Sequence, residues 1–194
     1  SERLEQAGYV YLPEGSAWTI ERGGSYYTRR NNSSVIAWHV GARVAQAAAE
    51  KPCAAAPYHF QLTASHGDSP TFKVKSVGEL EGPQGYLRLN VEAYGGMIDY
   101  TWFDRPLSLA GRVLVRTGAR VESRLFSLDR DVAIIPSLAI HMNRDVNNGF
   151  APNRARDLCP LISAGALPAG SLDQMVADEL GVDVADVLAR DLFL

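Results

Sequence analysis

The residue types best suited to chemistry are an imidazole and a carboxylate two positions apart, His66 and Asp68, within Ala64-Ser65-His66-Gly67-Asp68-Ser69-Pro70. A neutral imidazole offers one ring nitrogen to a transition metal, and a carboxylate on the other nitrogen fixes the tautomer and the ring orientation. His66 is therefore a candidate metal ligand and Asp68 a candidate orienting group. Each has a plainer reading: a hydrogen-bonded loop histidine for His66, and an Asx-turn before Ser69-Pro70 for Asp68. A third residue, His141, stands among apolar neighbours in Leu138-Ala139-Ile140-His141-Met142. Its plainer reading is a core histidine satisfied by a carbonyl.

Other polar clusters point to structure. His39 and His59 alternate within strand-like patterns with no carboxylate at metal spacing, so both read as structural. Asp104-Arg105-Pro106 and Asp129-Arg130-Asp131 fall where turns are expected and suit capping or ion-pair roles. Gly95-Gly96 lacks the companions of a phosphate-binding loop and reads as a bend. No Ser or Cys stands in a nucleophile-elbow context.

Elements that would position His66 come next. Tyr58 to Ser65 reads as a buried strand delivering that histidine to a sheet edge, the place from which open α/β sheets present ligands. Before it, Trp18 to Val40 is strand-like and broken by Gly23-Gly24 and Asn31-Asn32. The Ala-rich stretch Gly41 to Pro57 reads as a surface excursion with room for a short helix. Beyond Pro70 the period changes to two: Leu87, Leu89, Val91 and Ala93 share one face and Arg88, Asn90 and Glu92 the other. Further strands are expected at 72–75, 112–116, 121–128 and 132–135, which implies a mostly antiparallel sandwich or barrel-like region. Helix returns late, with Ser171 and Gln174 as a capping box for Leu172 to Leu180, Gly181 as its stop, and Asp183 capping Val184 to Ala189.

Bulk properties bound the answer. The chain has 194 residues, 46% of them hydrophobic and 21% charged, enough apolar content for a real core. A net charge of −3 with scattered cations gives no electrostatic support for a nucleic-acid or anionic-membrane partner. No apolar run approaches the ~18 residues of a membrane span, and Ser1-Glu2-Arg3 does not open a signal peptide, so a cytoplasmic chain is expected. Cys53 and Cys159 are too few for a zinc knuckle or a disulfide framework and read as free thiols. Leu4, Ala7 and Gly8 look like the end of a helix with a glycine stop, while Asp191 to Leu194 opens an apolar run; a segment of a longer polypeptide is expected.

Longer words carry a resemblance. Residues 65–75 read SHGDSPTFKVK, 89–97 LNVEAYGGM, 102–113 WFDRPLSLAGRV and 136–144 PSLAIHMNR, followed by Asp145-Val146-Asn147. In this order they resemble the aspartyl aminopeptidase family of zinc exopeptidases, bacterial members above all, from about Gly8 to Leu194. Gly67 departs from that pattern, where many relatives carry Thr or Ser; a residue pointing away between His66 and Asp68 need only fit the turn. The resemblance implies an α/β fold: residues 1–76 as the first piece of the α/β catalytic domain and 77–194 as an inserted, mostly β dimerisation domain ending in helices. It implies two Zn2+ ions per complete site, His66 ligating one, Asp68 orienting it, and His141 reaching into a neighbouring subunit's site as a hydrogen-bond donor. An oxygen-rich site of that kind also accepts cobalt or manganese. The remaining ligands and the general base are absent from these 194 residues, so the segment alone is expected to be inactive. Implied partners are peptide substrates, with acidic N-terminal residues preferred, and copies of the same chain in dimers and dodecamers. The rival expectation is a non-catalytic oligomerisation fragment or an inactive relative.

Overall fold

The computed structural model describes residues 1–31, 33–41 and 59–194, so the expectations for the Ala-rich excursion, Cys53 and Tyr58 lie outside the described residues. The chain divides into two compact units, Ser1–Asp68 and Ser69–Leu194.

The first unit opens with helix α1 (Glu2–Gln6), and Gly8 takes the left-handed conformation expected of a stop, at φ 82°. A three-stranded sheet follows: β1 (Val10–Tyr11), β2 (Ser25–Arg30) and β3 (Ser34–His39). Central β2 runs parallel to β1 and antiparallel to β3, in register from Ser25↔His39 to Arg30↔Ser34. Among the described residues of this unit only Tyr26, Tyr27 and Thr28 are buried. The Tyr27 hydroxyl donates to the Glu5 carboxylate, tying α1 to the sheet and raising the phenol pKa. Trp18 to Ile20 does not form the expected strand. Trp18 instead donates to the Pro13 carbonyl at 2.7 Å and lays its ring 5.5 Å from that of Trp38.

The expected buried strand before His66 is also corrected: His59 to Ser65 is irregular and exposed. Its apolar side chains made it read as buried, but a strand needs a neighbouring ladder, and no strand pairs with it among the described residues.

Eight strands form the second unit: β4 (Thr71–Glu81), β5 (Tyr86–Tyr94), β6 (Pro106–Leu107), β7 (Ala110–Thr117), β8 (Arg120–Ser127), β9 (Ala133–Ile134), β10 (Leu161–Ala164) and β11 (Val187–Phe193). Their order is β6-β9-β10-β5-β4-β11-β7-β8, every strand pair antiparallel. The two ends of this order are the same two chain segments. β6 continues into β7 and β8 into β9, and the segments stay bonded between the named strands, Leu128 N–H to Leu109 C=O at 2.9 Å and Val132 N–H to Leu107 C=O at 2.8 Å. The sheet therefore closes on itself as a small barrel, the closed alternative among the architectures expected. Alternation in β5 turns Leu87, Leu89 and Val91 inward, all at most 2% exposed, and Glu92 outward. Leu89 and Val91 join Phe72, Val74, Val113, Val115, Phe126 and Leu192 in one apolar interior.

Helix α2 (Ser171–Leu180) packs on β8 and β11 through Leu172 and Val176 and ends at left-handed Gly181, φ 63°. The expected capping box is absent. Ser171 Oγ donates to Pro168 C=O at 2.6 Å, and Gln174 reaches along the helix to Asp178. The cap comes from β4 instead: the Glu79 carboxylate accepts Gly170 N–H at 2.7 Å and Leu172 N–H at 2.6 Å, satisfying two of the donors a helix start leaves open. A register shift between Val74 and Glu79 brings Glu79 to that position. Gly78, inside the shift, lies so close to α2 that a Cβ there would come within 2.7 Å of Leu172 Cδ2.

A further expectation is corrected. Val184 to Ala189 is not a helix; a single 3-10 turn, Val184–Asp186, leads into β11, because pairing with β4 and β7 outweighs local helix propensity. Residues 76 and 77, between which the resemblance sets its domain boundary, both lie in β4, and the two compact units divide between Asp68 and Ser69.

Candidate metal and substrate residues

His66 sits at the end of the irregular 59–66 segment, where Gly67 and Asp68 bend the chain. That bend folds Asp68 back on the ring: His66 Nδ1 lies 2.6 Å from Asp68 Oδ1 and 2.9 Å from the Asp68 carbonyl oxygen. Both neighbours are acceptors, so Nδ1 carries the proton and donates, and in the neutral ring the lone pair belongs to Nε2. The histidine side chain is 85% exposed, which leaves that nitrogen open to a ligand. A side chain added at Gly67 would meet no atom within 4 Å, so glycine there imposes no constraint that Thr or Ser would violate. The pair fits a metal ligand with its orienting carboxylate. Among the described residues no three His, Cys, Asp or Glu side chains gather to hold an ion, so further donors are needed.

His141 lies in the second unit on an exposed turn closed by Met142 N–H to Ala139 C=O at 2.8 Å. The core-histidine reading is thereby excluded: Leu138, Ile140 and Met142 around it are exposed as well. The turn belongs to a 22-residue excursion, 136–157, between β9 and β10, whose two ends are held by one neighbouring segment. At the entry, Asp104 accepts Ser137 N–H at 2.8 Å and Ser137 Oγ–H at 2.5 Å, which holds its carboxyl below the ordinary value. Asp104 takes φ 56°, a conformation that aspartate tolerates and a capping role explains. At the exit, Arg154 Nε donates to Asp99 at 2.9 Å. Asp157 then accepts Asn153 N–H at 2.8 Å and pairs with Arg156, whose guanidinium lowers its pKa. The turn context of Asp104 suggests a structural role, whereas nothing in the sequence links it to Ser137, or Asp99 to a partner 55 residues on.

The remaining histidines and the described cysteine have plainer settings. His39 Nδ1 lies 2.9 Å from Ser25 Oγ across the β2–β3 ladder, while His59 is exposed in the irregular segment. Cys159 is a free, buried thiol. A hollow of about 350 Å3 beside β4 and β11 carries Lys73, Lys75 and Arg190, but Asp191 lies 2.9 Å from Lys73 and neutralises it.

A family profile for aminopeptidase I zinc metalloproteases, M18, matches residues 1–194. The chain belongs to that family. A curated relative from Clostridium acetobutylicum, "Probable M18 family aminopeptidase 2", is 39% identical over 198 residues, an alignment that takes in 98% of this chain and 43% of the relative. Among solved structures, a chain of the Ape4 and Nbr1 complex superposes with TM-score 0.77 at 34% identity, across 99% of this chain and 39% of that one. The S. cerevisiae mApe1 dodecamer superposes with TM-score 0.62 at 25% identity, across 99% and 42%. This chain thus spans less than half the length of these relatives. These likenesses fit an α/β fold that carries a β-rich domain. Among the described residues no helix is long and apolar enough to cross a membrane.

Proposed function

We propose that this chain is part of a cytoplasmic zinc metalloaminopeptidase that removes N-terminal residues, acidic ones by preference, from peptides. The observation that carries this reading is the His66–Asp68 pair, a proton fixed on Nδ1 and an open Nε2, inside a chain-long match to a zinc peptidase family. In this reading Nε2 of His66 holds one of two Zn2+ ions, and Asp68 keeps the ring in the ligating tautomer. Zinc supplies positive charge that polarises the scissile carbonyl and makes water a nucleophile at neutral pH. His141, on its tethered turn, donates a hydrogen bond to the substrate in a neighbouring subunit's site and stabilises developing negative charge. Residues before the barrel form a piece of the catalytic domain, the barrel is the dimerisation domain, and assembly proceeds through dimers to a dodecamer.

Zinc analysis and a peptidase assay on this chain and on a longer polypeptide that continues beyond Leu194 test the reading. The longer protein is expected to hold two zinc ions and cleave, while the 194-residue chain holds little and does nothing. His66→Ala should strip one ion from the longer protein. His141→Phe should lower turnover by ~100-fold, the scale of losing one oxyanion donor, with zinc content unchanged. A metal-free, inactive longer protein would favour a non-catalytic assembly module in its place.

A further inference from the structure

Strand β8 ends the sheet order beyond β7, and along 120–127 no second strand pairs with it among the described residues. The direction of its backbone groups follows from the register. Leu128 N–H bonds to Leu109 C=O, and the β7–β8 ladder runs unshifted from Ala110↔Ser127 to Thr117↔Arg120. Bonded and non-bonded pairs alternate along an antiparallel ladder, so residues 126, 124, 122 and 120 spend their N–H and C=O groups on β7. Val121, Ser123 and Leu125 turn theirs to the open edge. Their side chains share the outer face, where Val121 is 60% and Leu125 86% exposed. An open edge of this kind is a template for another strand.

We propose that β8 pairs antiparallel with β8 of a second copy of this chain, about a two-fold axis at Ser123. This deepens the self-association put forward above and rests on it. The occupant is chosen by complementarity. With Ser123 facing its own copy, Glu122 faces Arg124 and Arg124 faces Glu122 across the axis, while Val121 and Leu125 meet on the outer face. The three residues with open backbone groups are the ones this register bonds. Alternative two-folds of the same parity are poorer: centring on Leu125 sets Arg124 against Phe126 and Glu122 against Leu128, and centring on Val121 overlaps only Arg120 to Glu122. Within one strand Arg124 and Glu122 already lie 3.0 Å apart at the surface, so both charges are accessible and can be shared with a second pair. The union joins the two β7–β8 hairpins into one four-stranded sheet.

Sedimentation of the 194-residue chain tests this, with thermal melting of each variant as a check on folding. The chain is expected to dimerise. Glu122→Lys places like charges opposite each other twice and should raise the dimer Kd about tenfold or more, whereas adding Arg124→Glu should restore it. A short bismaleimide should join two Ser123→Cys chains well above the background set by Cys53 and Cys159 in the unsubstituted chain. A dimer indifferent to the charge reversal and not joined at position 123 overturns the β8 pairing and leaves self-association standing. A chain that stays monomeric at high concentration overturns both.

Discussion

The two units bury their residues very differently, although antiparallel pairing occurs in both. The barrel encloses a continuous apolar interior contributed by seven of its strands and α2. The first unit buries Tyr26, Tyr27 and Thr28 among its described residues, and leaves Val35, Ile36, Phe60 and Leu62 open to solvent. Stability follows buried apolar area, so the barrel is a scaffold in its own right, whereas the His66 site rests on a thin sheet and an irregular approach. The contrast suits the roles proposed: chemistry at an accessible bend, and a rigid body that presents a turn and an edge to other subunits.

Substitutions can break that contrast. Leu89→Ala inside the barrel is expected to lower unfolding stability by about 2–5 kcal/mol in denaturant titration, because a fully enclosed leucine leaves a cavity. Phe60→Ala in the first unit should stay within about 0.5 kcal/mol, the range of exposed substitutions. Equal losses would show that the first unit also has an interior of its own. A smaller effect is expected at the helix cap. Glu79→Ala should cost about 1–2 kcal/mol and shorten α2 at its start, visible as faster amide exchange at Gly170 and Leu172, because two donors lose their acceptor. Unchanged exchange would assign the cap to solvent.

The smallest expected effect is dependent on pH. Hydrogen bonds from Ser137 hold the Asp104 carboxyl below its ordinary 3.8, so its tether is at full strength above that value and is lost as pH falls through the lowered one. Asp104→Ala should therefore melt slightly earlier than the unsubstituted chain at neutral pH, and the gap should close at pH below 3.8. A gap that persists in acid would locate the effect in the left-handed backbone at Asp104 and not in the charge.

Much of the barrel was legible because its signals are local. The period-two alternation of Leu87, Leu89 and Val91 identifies an inner face without knowledge of the partner strand, and Gly181 announces the end of α2 by itself. The same logic misled where a pattern was apolar but unpaired, as at His59 to Ser65, and where helix formers lay in a segment claimed by a sheet, as in β11. Of the candidate site, the composition of the His66 and Asp68 pair could be read directly, since the two lie within one bend.

By itself, then, the sequence determined the alternating strands, the late helix, and the residue types able to ligate or donate, all properties that depend on neighbours a few positions away. Only the tertiary structure decided that the sheet closes through the continuity of β6 with β7 and β8 with β9. It alone brought Glu79 to a helix 91 residues later, and Asp99 and Asp104 to the two ends of the His141 excursion. Those contacts join residues far apart along the chain, and their partners are fixed by how the barrel folds around its apolar interior, a property of the whole chain that no local window contains.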